Sequence, residues 1–254
     1  MRLFVATPLQ AGAELALPPG AARHAQVRRV QPGDALQLFD GSGSEWPATV
    51  LAVGRSEVRV RLGAPAAVAR ELPWPVTIAL GMPANERMDG LVEKATELGV
   101  TAIQPLLTER SVLRLDGERS LRKVAHWQAV AEAACEQCGR ARVPAVAPVR
   151  ALAGWLAALP PLPTATAGDA RWLLSLQPGA MTPGRLFGPH GKLGTLGPAG
   201  PLTLLSGPEG GFAPDEDAAA RRAGFEPVAL GPRVLRADTA PLAVLGWLAL
   251  QAAN

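Results

Sequence analysis

The stretch Leu202-Thr203-Leu204-Leu205-Ser206-Gly207-Pro208-Glu209-Gly210-Gly211-Phe212, continued further on by Leu230-Gly231-Pro232-Arg233-Val234-Leu235-Arg236-Ala237-Asp238-Thr239-Ala240, decides the fold. It repeats one device. The apolar run Leu202, Leu204 and Leu205 has the length of a buried strand, and it breaks at Gly207-Pro208-Glu209-Gly210-Gly211, where glycine reaches backbone conformations that a side chain forbids. A helix is predicted next, because Asp215, Glu216 and Asp217 suit a helix N-terminus and Gly224 fits a left-handed stop. The second copy runs from a strand over Phe225 to Leu230, through the Gly231-Pro232 turn, into a last helix from about Asp238 to Gln251. Two such strand ends side by side make a crevice at the carboxyl edge of a sheet, where open α/β proteins hold ligands.

That crevice carries no triphosphate signature. Neither the Walker spacing nor the Rossmann spacing of glycines is present, and no lysine follows Gly211. One Gly-rich turn alone reads first as a plain tight turn of an α/β domain. Two turns with Glu209, Arg233, Arg236 and Asp238 at their ends set charged groups beside exposed backbone donors, which is what a ligand site needs.

Upstream, the alternation of strand and helix extends back to residue 76. Val76 to Leu80 is an apolar strand, apolar residues at 88, 91, 92, 95 and 98 make one helical face over Glu86 to Gly99, and Val100 to Leu106 is the next strand, so a parallel sheet is expected. A helix over about Ser120 to Gly139 follows. Residues 151–199 are rich in Pro and Gly, with one strand at Trp172 to Leu176 and a loose insertion over 181–200 that holds His190, read as solvated. Ala69 to Pro75 is a proline-stiffened linker. Before it, residues 1–68 are short strands and turns: Arg2 to Val5, Ala35 to Phe39, Trp46 to Val53 and the alternating Glu57 to Leu62, which read as a small β-barrel. Arg23, His24, Arg28 and Arg29 form a basic cluster there, suited to phosphates or equally to a solvated charged face.

Composition sets wide bounds. A chain of 254 residues holds one large or two small domains. Arginines outnumber lysines 22 to 3 within a net charge of only +3. That bias favours bidentate contacts to phosphate or carboxylate, and it is equally the mark of a GC-rich genome, so an RNA partner is permitted and not demanded. No apolar run reaches the length of about eighteen residues needed to cross a membrane, and Arg2, Gln10 and Glu14 interrupt the first sixteen, so neither a span nor a signal peptide is expected and the cytoplasm is the default. Cys135 and Cys138 lack the second pair that a zinc site requires, and they read as two small residues one turn apart on a helix; no metal is expected.

The two quoted loops together resemble the C-terminal signature of the RsmE family, the 16S rRNA (uridine-N3) methyltransferases of the SPOUT superfamily. The resemblance extends to Arg87-Met88-Asp89, Glu93-Lys94-Ala95-Thr96-Glu97-Leu98-Gly99-Val100, Glu109-Arg110-Ser111, Glu132-Ala133, Gln137, Arg140 and Val143-Pro144, and to Arg23-His24 through Gly33-Asp34. Two departures stand out: Ala84 where the family often carries lysine, and Asp238 where many members carry glutamate.

The resemblance implies a PUA-like RNA-binding β-barrel over 1–68, a linker at 69–75, and a SPOUT α/β methyltransferase domain over 76–254 with a deep trefoil knot. It implies S-adenosylmethionine held by Leu205, Ser206, Gly207, Pro208, Glu209, Gly210, Gly211, Leu230, Gly231, Val234, Leu235, Arg236 and Thr239. Arg236 is then the candidate to stabilise the uridine anion and Asp238 the candidate base or orienter, while Asp238-Thr239 also reads as a plain helix N-cap. Arg23, His24, Arg28, Arg29, Gln137 and Arg140 become candidate RNA contacts, with helix termination and capping as the alternative for Gln137 and Arg140. The implied partners are 16S rRNA, in the 30S subunit, and a second copy of the chain. A non-catalytic RNA-binding dimer and a SPOUT enzyme with another RNA acceptor are the competing readings.

Overall fold

A ladder of alternating side chains builds the first part of the protein. The computed structural model describes residues 1–161, 169–177, 179–182, 185 and 200–252; His190 and most of the insertion expected over 181–200 lie outside the described residues. The chain divides into two units, one of Met1–Glu71 with Glu132–Val143, the other of Leu72–Ala131 with Pro144–Asn254.

The first unit contains β1 (Arg2–Phe4), β2 (Glu14–Ala16), α1 (Pro19–Val27), β3 (Ala35–Phe39), β4 (Ser44–Val53), β5 (Val58–Leu62) and β6 (Ala66–Ala67). The strands form one sheet in the order β1-β3-β4-β5-β2, with β6 on β4. β5 shows the physical rule plainly: Val58, Val60 and Leu62 point into the core, while Arg59 and Arg61 face out to Glu14 on β2. Leu3, Leu38 and Val50 complete the apolar layer. α1 is a helix that the sequence reading missed. It opens with proline in its first turn and buries only Ala21, Ala22 and Ala25, so the apolar stripe that reveals most helices is made of methyl groups alone.

The second unit contains β7 (Val76–Gly81), α2 (Asn85–Glu97), β8 (Ala102–Leu107), α3 (Gly117–Cys138, whose last turns belong to the first unit), β9 (Ala145–Val146), β10 (Arg150–Ala151), α4 (Leu152–Ala157), β11 (Ala170–Leu174), β12 (Leu202–Ser206), α5 (Pro214–Arg222), β13 (Glu226–Val228) and α6 (Thr239–Ala252). Its sheet runs β10-β8-β7-β12-β11-β13 with β9 beside β8, and every pairing is parallel. The expected strand-helix alternation and parallel sheet are therefore present. β12 is central and pairs with β7 from Leu202↔Val76 to Ser206↔Leu80. Strands covered on both faces are continuously apolar, as Ile78, Ala79, Leu80, Leu204 and Leu205 are, all with no exposed surface.

The structure corrects one expectation. The strand ends before Gly207 and before Gly231 are not neighbours, because β11 lies between β12 and β13 and pairs with both. α4 was also unforeseen; its six residues bury Leu152, Trp155 and Leu156 against Leu173, Leu205 and Phe225. Among the described residues no helix is long and apolar enough to cross a membrane.

Candidate functional site

A cavity of about 1020 Å³ opens at the carboxyl ends of β11, β12 and β13. Both Gly-Pro turns face it: Ser206 to Phe212 after β12, and Leu230 with Arg233 to Ala237 after β13. Leu174 to Gln177, leaving β11, form the wall between them. The intervening strand thus turns two separate loops into one hollow, rather than keeping them apart.

Close backbone approach shapes the first turn. At Gly207 an added Cβ would stand 3.1 Å from Gly211 Cα and 3.2 Å from Phe212 N, so the turn folds back on itself there. Gly211 sits at φ 67 and donates its N–H to the Pro208 carbonyl at 2.8 Å, a left-handed position that suits glycine. The start of α2 and the loop after β8 fasten the turn from outside. Glu209 accepts from Arg87 Nη1 at 3.3 Å and from the Ala84 N–H at 3.4 Å, while Arg110 Nη1 donates to the Gly210 carbonyl at 3.0 Å. Glu216 of α5 accepts from the Glu109 N–H at 2.8 Å and the Ala213 N–H at 3.0 Å, tying the β8–α3 loop to the start of α5.

The lining is positive. Arg87, Arg110, Arg221, Arg233 and Arg236 stand against Glu209 and Asp217. Arg87 and Arg221 are paired with those two acids, whereas the guanidinium groups of Arg233 and Arg236 form no hydrogen bond or ion pair with the described residues. Such a rim attracts an anionic substrate.

Of the residues expected to hold a ligand, Ser206, Gly207, Pro208, Glu209, Gly210, Gly211, Leu230, Val234, Leu235 and Arg236 line the cavity. Leu205, Gly231, Asp238 and Thr239 do not. Leu205 is a core residue with no exposed surface, and Gly231 supplies a bend at φ 112. Asp238 precedes the first residue of α6, the N-cap place, yet its Oδ1 is buried and has no hydrogen-bond partner among the described residues. Ser206 Oγ and the Ala237 carbonyl, 3.4 Å apart, link the two loops.

The expected RNA contacts belong to the first unit. Arg23, Arg28 and Arg29 are exposed around the end of α1, and their side chains are unengaged among the described residues. His24 Nδ1 lies 3.3 Å from Glu136 Oε2, and Gln137 is exposed. Arg140 is a correction. It is 4% exposed and forms a two-pronged pair with Glu71, while its carbonyl receives Arg2 Nη2 at 3.1 Å. A guanidinium committed in this way braces the fold and is not available to RNA.

The cysteines sit at the end of α3. Cys135 is buried with its Sγ 3.5 Å from the Arg142 carbonyl; the Cys138 thiol is pulled down to about 6, first by the hydrogen bond it receives from Cys135 and then by the Arg140 backbone and the nearby Arg140 and Arg2 charges. The same hydrogen bond and burial push Cys135 up. No group of three or more metal-ligating side chains occurs among the described residues.

A family profile described as RNA methyltransferase domain matches residues 70–249, and one described as RNA methyltransferase PUA domain matches residues 17–63. Ribosomal RNA small subunit methyltransferase E of Synechocystis sp. is 34% identical over 225 residues, which is 88% of this chain and 68% of that protein. The chain belongs to this family. Methyltransferase E of Mycobacterium bovis is 35% identical over 222 residues, covering 87% of this chain and 80% of that one. The crystal structure of methyltransferase E from Neisseria gonorrhoeae, bound to S-adenosyl methionine, superposes with a TM-score of 0.84 at 34% identity, covering 97% of this chain and 96% of that one.

As a member of the methyltransferase E family, the chain also shows what sequence reasoning left out of the site. Arg87, Arg110 and Arg221 line the cavity and were not among the expected contacts. Two of them had a signal: Arg87-Met88-Asp89 and Glu109-Arg110-Ser111 are segments on which the family resemblance rests. Leu174 to Gln177 had none, because no motif marks the end of β11.

Proposed function

We propose that this protein methylates N3 of one uridine in the 16S rRNA of the small ribosomal subunit, using S-adenosylmethionine as donor. The observation that carries the reading is the single cavity into which both Gly-Pro turns open, in a member of a family whose relative from Neisseria gonorrhoeae was crystallised with that cofactor. The residues present fit it. The volume is at the upper end of the range, about 300 to 1,000 Å³, of small-molecule and cofactor sites. The turn at Gly207 is closed on its own backbone, and Gly211, where nothing lies within 4 Å of an added Cβ, leaves main-chain groups uncovered beside the cavity.

In this reading Ser206 to Gly211, Leu230, Val234, Leu235 and Arg236 touch the cofactor, with Leu205 supporting the turn from the core and Gly231 and Thr239 framing the second loop. When bound, S-adenosylmethionine supplies a methyl group already activated by its sulfonium charge. The protein therefore has to align the acceptor and manage one proton. Holding two reactants in line supplies about 7 to 11 kcal/mol of the barrier. Arg236, with its guanidinium unengaged at the rim, stabilises the uridine anion as N3 loses its proton. Asp238, next in the chain to the cavity-lining Ala237, is the candidate base or orienter for that proton, an effect of about a hundredfold to ten-thousandfold.

Arg23, His24, Arg28, Arg29 and Gln137 form the RNA face, residues 1–68 carry RNA binding, 69–75 link, and 76–254 carry the transfer. The family resemblance supports a deep trefoil knot through the 202–240 region. The same resemblance supports a homodimer. In this reading the enzyme acts in the cytoplasm, on the 30S subunit. Methyl transfer from labelled cofactor to naked 16S rRNA and to assembled 30S subunits, followed by digestion and mass identification of the modified base, tests the reading. A single 3-methyluridine is expected. Bound cofactor with unlabelled RNA removes the acceptor assignment, and absence of cofactor binding removes the enzyme.

A further inference from the structure

The first unit holds a cleft of about 670 Å³ that methyl transfer does not use. α1 contributes His24 and its C-cap residue Arg28 to it, and the last turns of α3 contribute Glu136 and Gln137. Its apolar lining includes Val30 and Leu36, which are 7% and 5% exposed.

The acids of this cleft are already engaged. Glu136 accepts the Phe4 N–H at 2.8 Å through Oε1 and meets His24 through Oε2, and Asp34 accepts the Gln31 N–H at 2.8 Å. Its free groups are of a different kind. The Arg28 guanidinium and the Gln137 amide form no hydrogen bond or ion pair with the described residues. Elsewhere in the unit Arg2, Arg59, Arg61, Arg70 and Arg140 are each held by a carboxylate, while Arg55 and Arg142 are not. Around α1 the unengaged cations are Arg23, Arg28 and Arg29, and Arg29, at φ 56, is the one non-glycine residue in the left-handed region among the described residues.

We infer that this cleft receives one unpaired nucleobase of the bound RNA, its edge read by Gln137 and its flanking phosphates held by Arg23, Arg28 and Arg29. The inference rests on the reading of α1 as an RNA face and adds a base-specific site to it. A phosphate by itself needs only the cations. A flat base also needs an apolar surface that excludes water and a group able both to donate and to accept along its edge, and Val30, Leu36 and the Gln137 amide supply these. Proteins read RNA sequence through unpaired bases of this kind, and an arginine plane serves as a stacking surface for them.

The test uses the full chain and short single-stranded RNAs of one length, oligo(A), oligo(U) and oligo(C), beside an abasic ribose-phosphate chain of the same length, all labelled at the 3′ end and followed by fluorescence anisotropy. At least one base-containing RNA is expected to bind about tenfold tighter than the abasic chain, the effect of one bidentate contact to a base edge. Gln137→Ala should remove that advantage and leave the salt dependence unchanged. The double change Arg23→Ala and Arg29→Ala should weaken all probes alike and flatten the salt slope by about one unit per lost contact. Equal affinity for the abasic chain overturns the base site while leaving the phosphate face standing, and so does an advantage that survives Gln137→Ala. If no probe binds even at low salt, the RNA face of α1 falls, and the base site with it.

Discussion

Gly81→Ala is the substitution whose consequence is most directly written in the geometry. Gly81 ends β7 directly beneath the turn after β12. A Cβ built there would lie 2.5 Å from Pro208 Cδ, 2.8 Å from Pro208 N and 3.2 Å from Thr108 Cγ2. Ordinary contact begins at 3.4 Å, so Pro208 Cδ would have to retreat by about 0.9 Å from its 2.5 Å position. No rotamer absorbs this shift, because the proline ring is part of the backbone, and the movement is passed to Gly207 and Glu209. Overpacking of this kind costs about 1 to 3 kcal/mol of stability. Misplacing a substrate-positioning segment by about 1 Å costs on the order of a hundredfold in rate. The assays are calorimetric titration with S-adenosylmethionine, single-turnover methyl transfer and thermal melting, with Gly90→Ala as control. Gly90 is exposed within α2 with nothing within 4 Å of an added Cβ, so alanine there should be neutral or stabilise by about 0.5 to 1 kcal/mol. A Gly81→Ala protein that melts, binds cofactor and turns over like the parent would refute the close-approach reasoning.

Asp238→Asn keeps the shape and removes the charge, so cofactor binding should persist while single-turnover methyl transfer falls about a hundredfold or more. Unchanged turnover would remove Asp238 as base. Arg140→Met strips Glu71 of its partner, and because Glu71 keeps 25% of its side-chain surface exposed, the loss read by denaturant titration should be about 3 kcal/mol at most, with the salt dependence of RNA binding unaltered. Iodoacetamide should label Cys138 and spare Cys135 at neutral pH, with a rate that rises through about pH 6; equal labelling in peptide mass spectra would contradict the assignment. The linkage follows in sign. A thiol depressed on folding contributes stability that is complete above its unfolded value near 9 and is lost as pH falls through about 6, so the stability difference between the parent and Cys138→Ser should shrink over that interval.

The parts of the site legible in the sequence are those with local causes. Gly207, Gly211 and Gly231 mark turns because backbone conformation is decided within a few residues, and the apolar runs of β7 and β12 announce a strand covered on both faces. α1 was hidden because its buried stripe is three alanines, and α4 because six residues are too few to show a period. Arg140 misled for a related reason: a charged residue beside a helix end reads as solvent-facing until Glu71 is known to stand against it.

The sequence by itself determined the α/β class, the parallel strand-helix alternation, the two Gly-Pro turns and the family, since each rests on residue types at short spacing. The tertiary structure decided what those turns enclose. β11 enters between β12 and β13, Arg87 of α2 and Arg110 of the loop after β8 reach across to fasten the Gly207 turn, and Asp238 is left with a buried Oδ1 that has no partner among the described residues. These are pairings between residues far apart in the chain, set by which surfaces pack together once the core forms, and no local pattern of side chains encodes them.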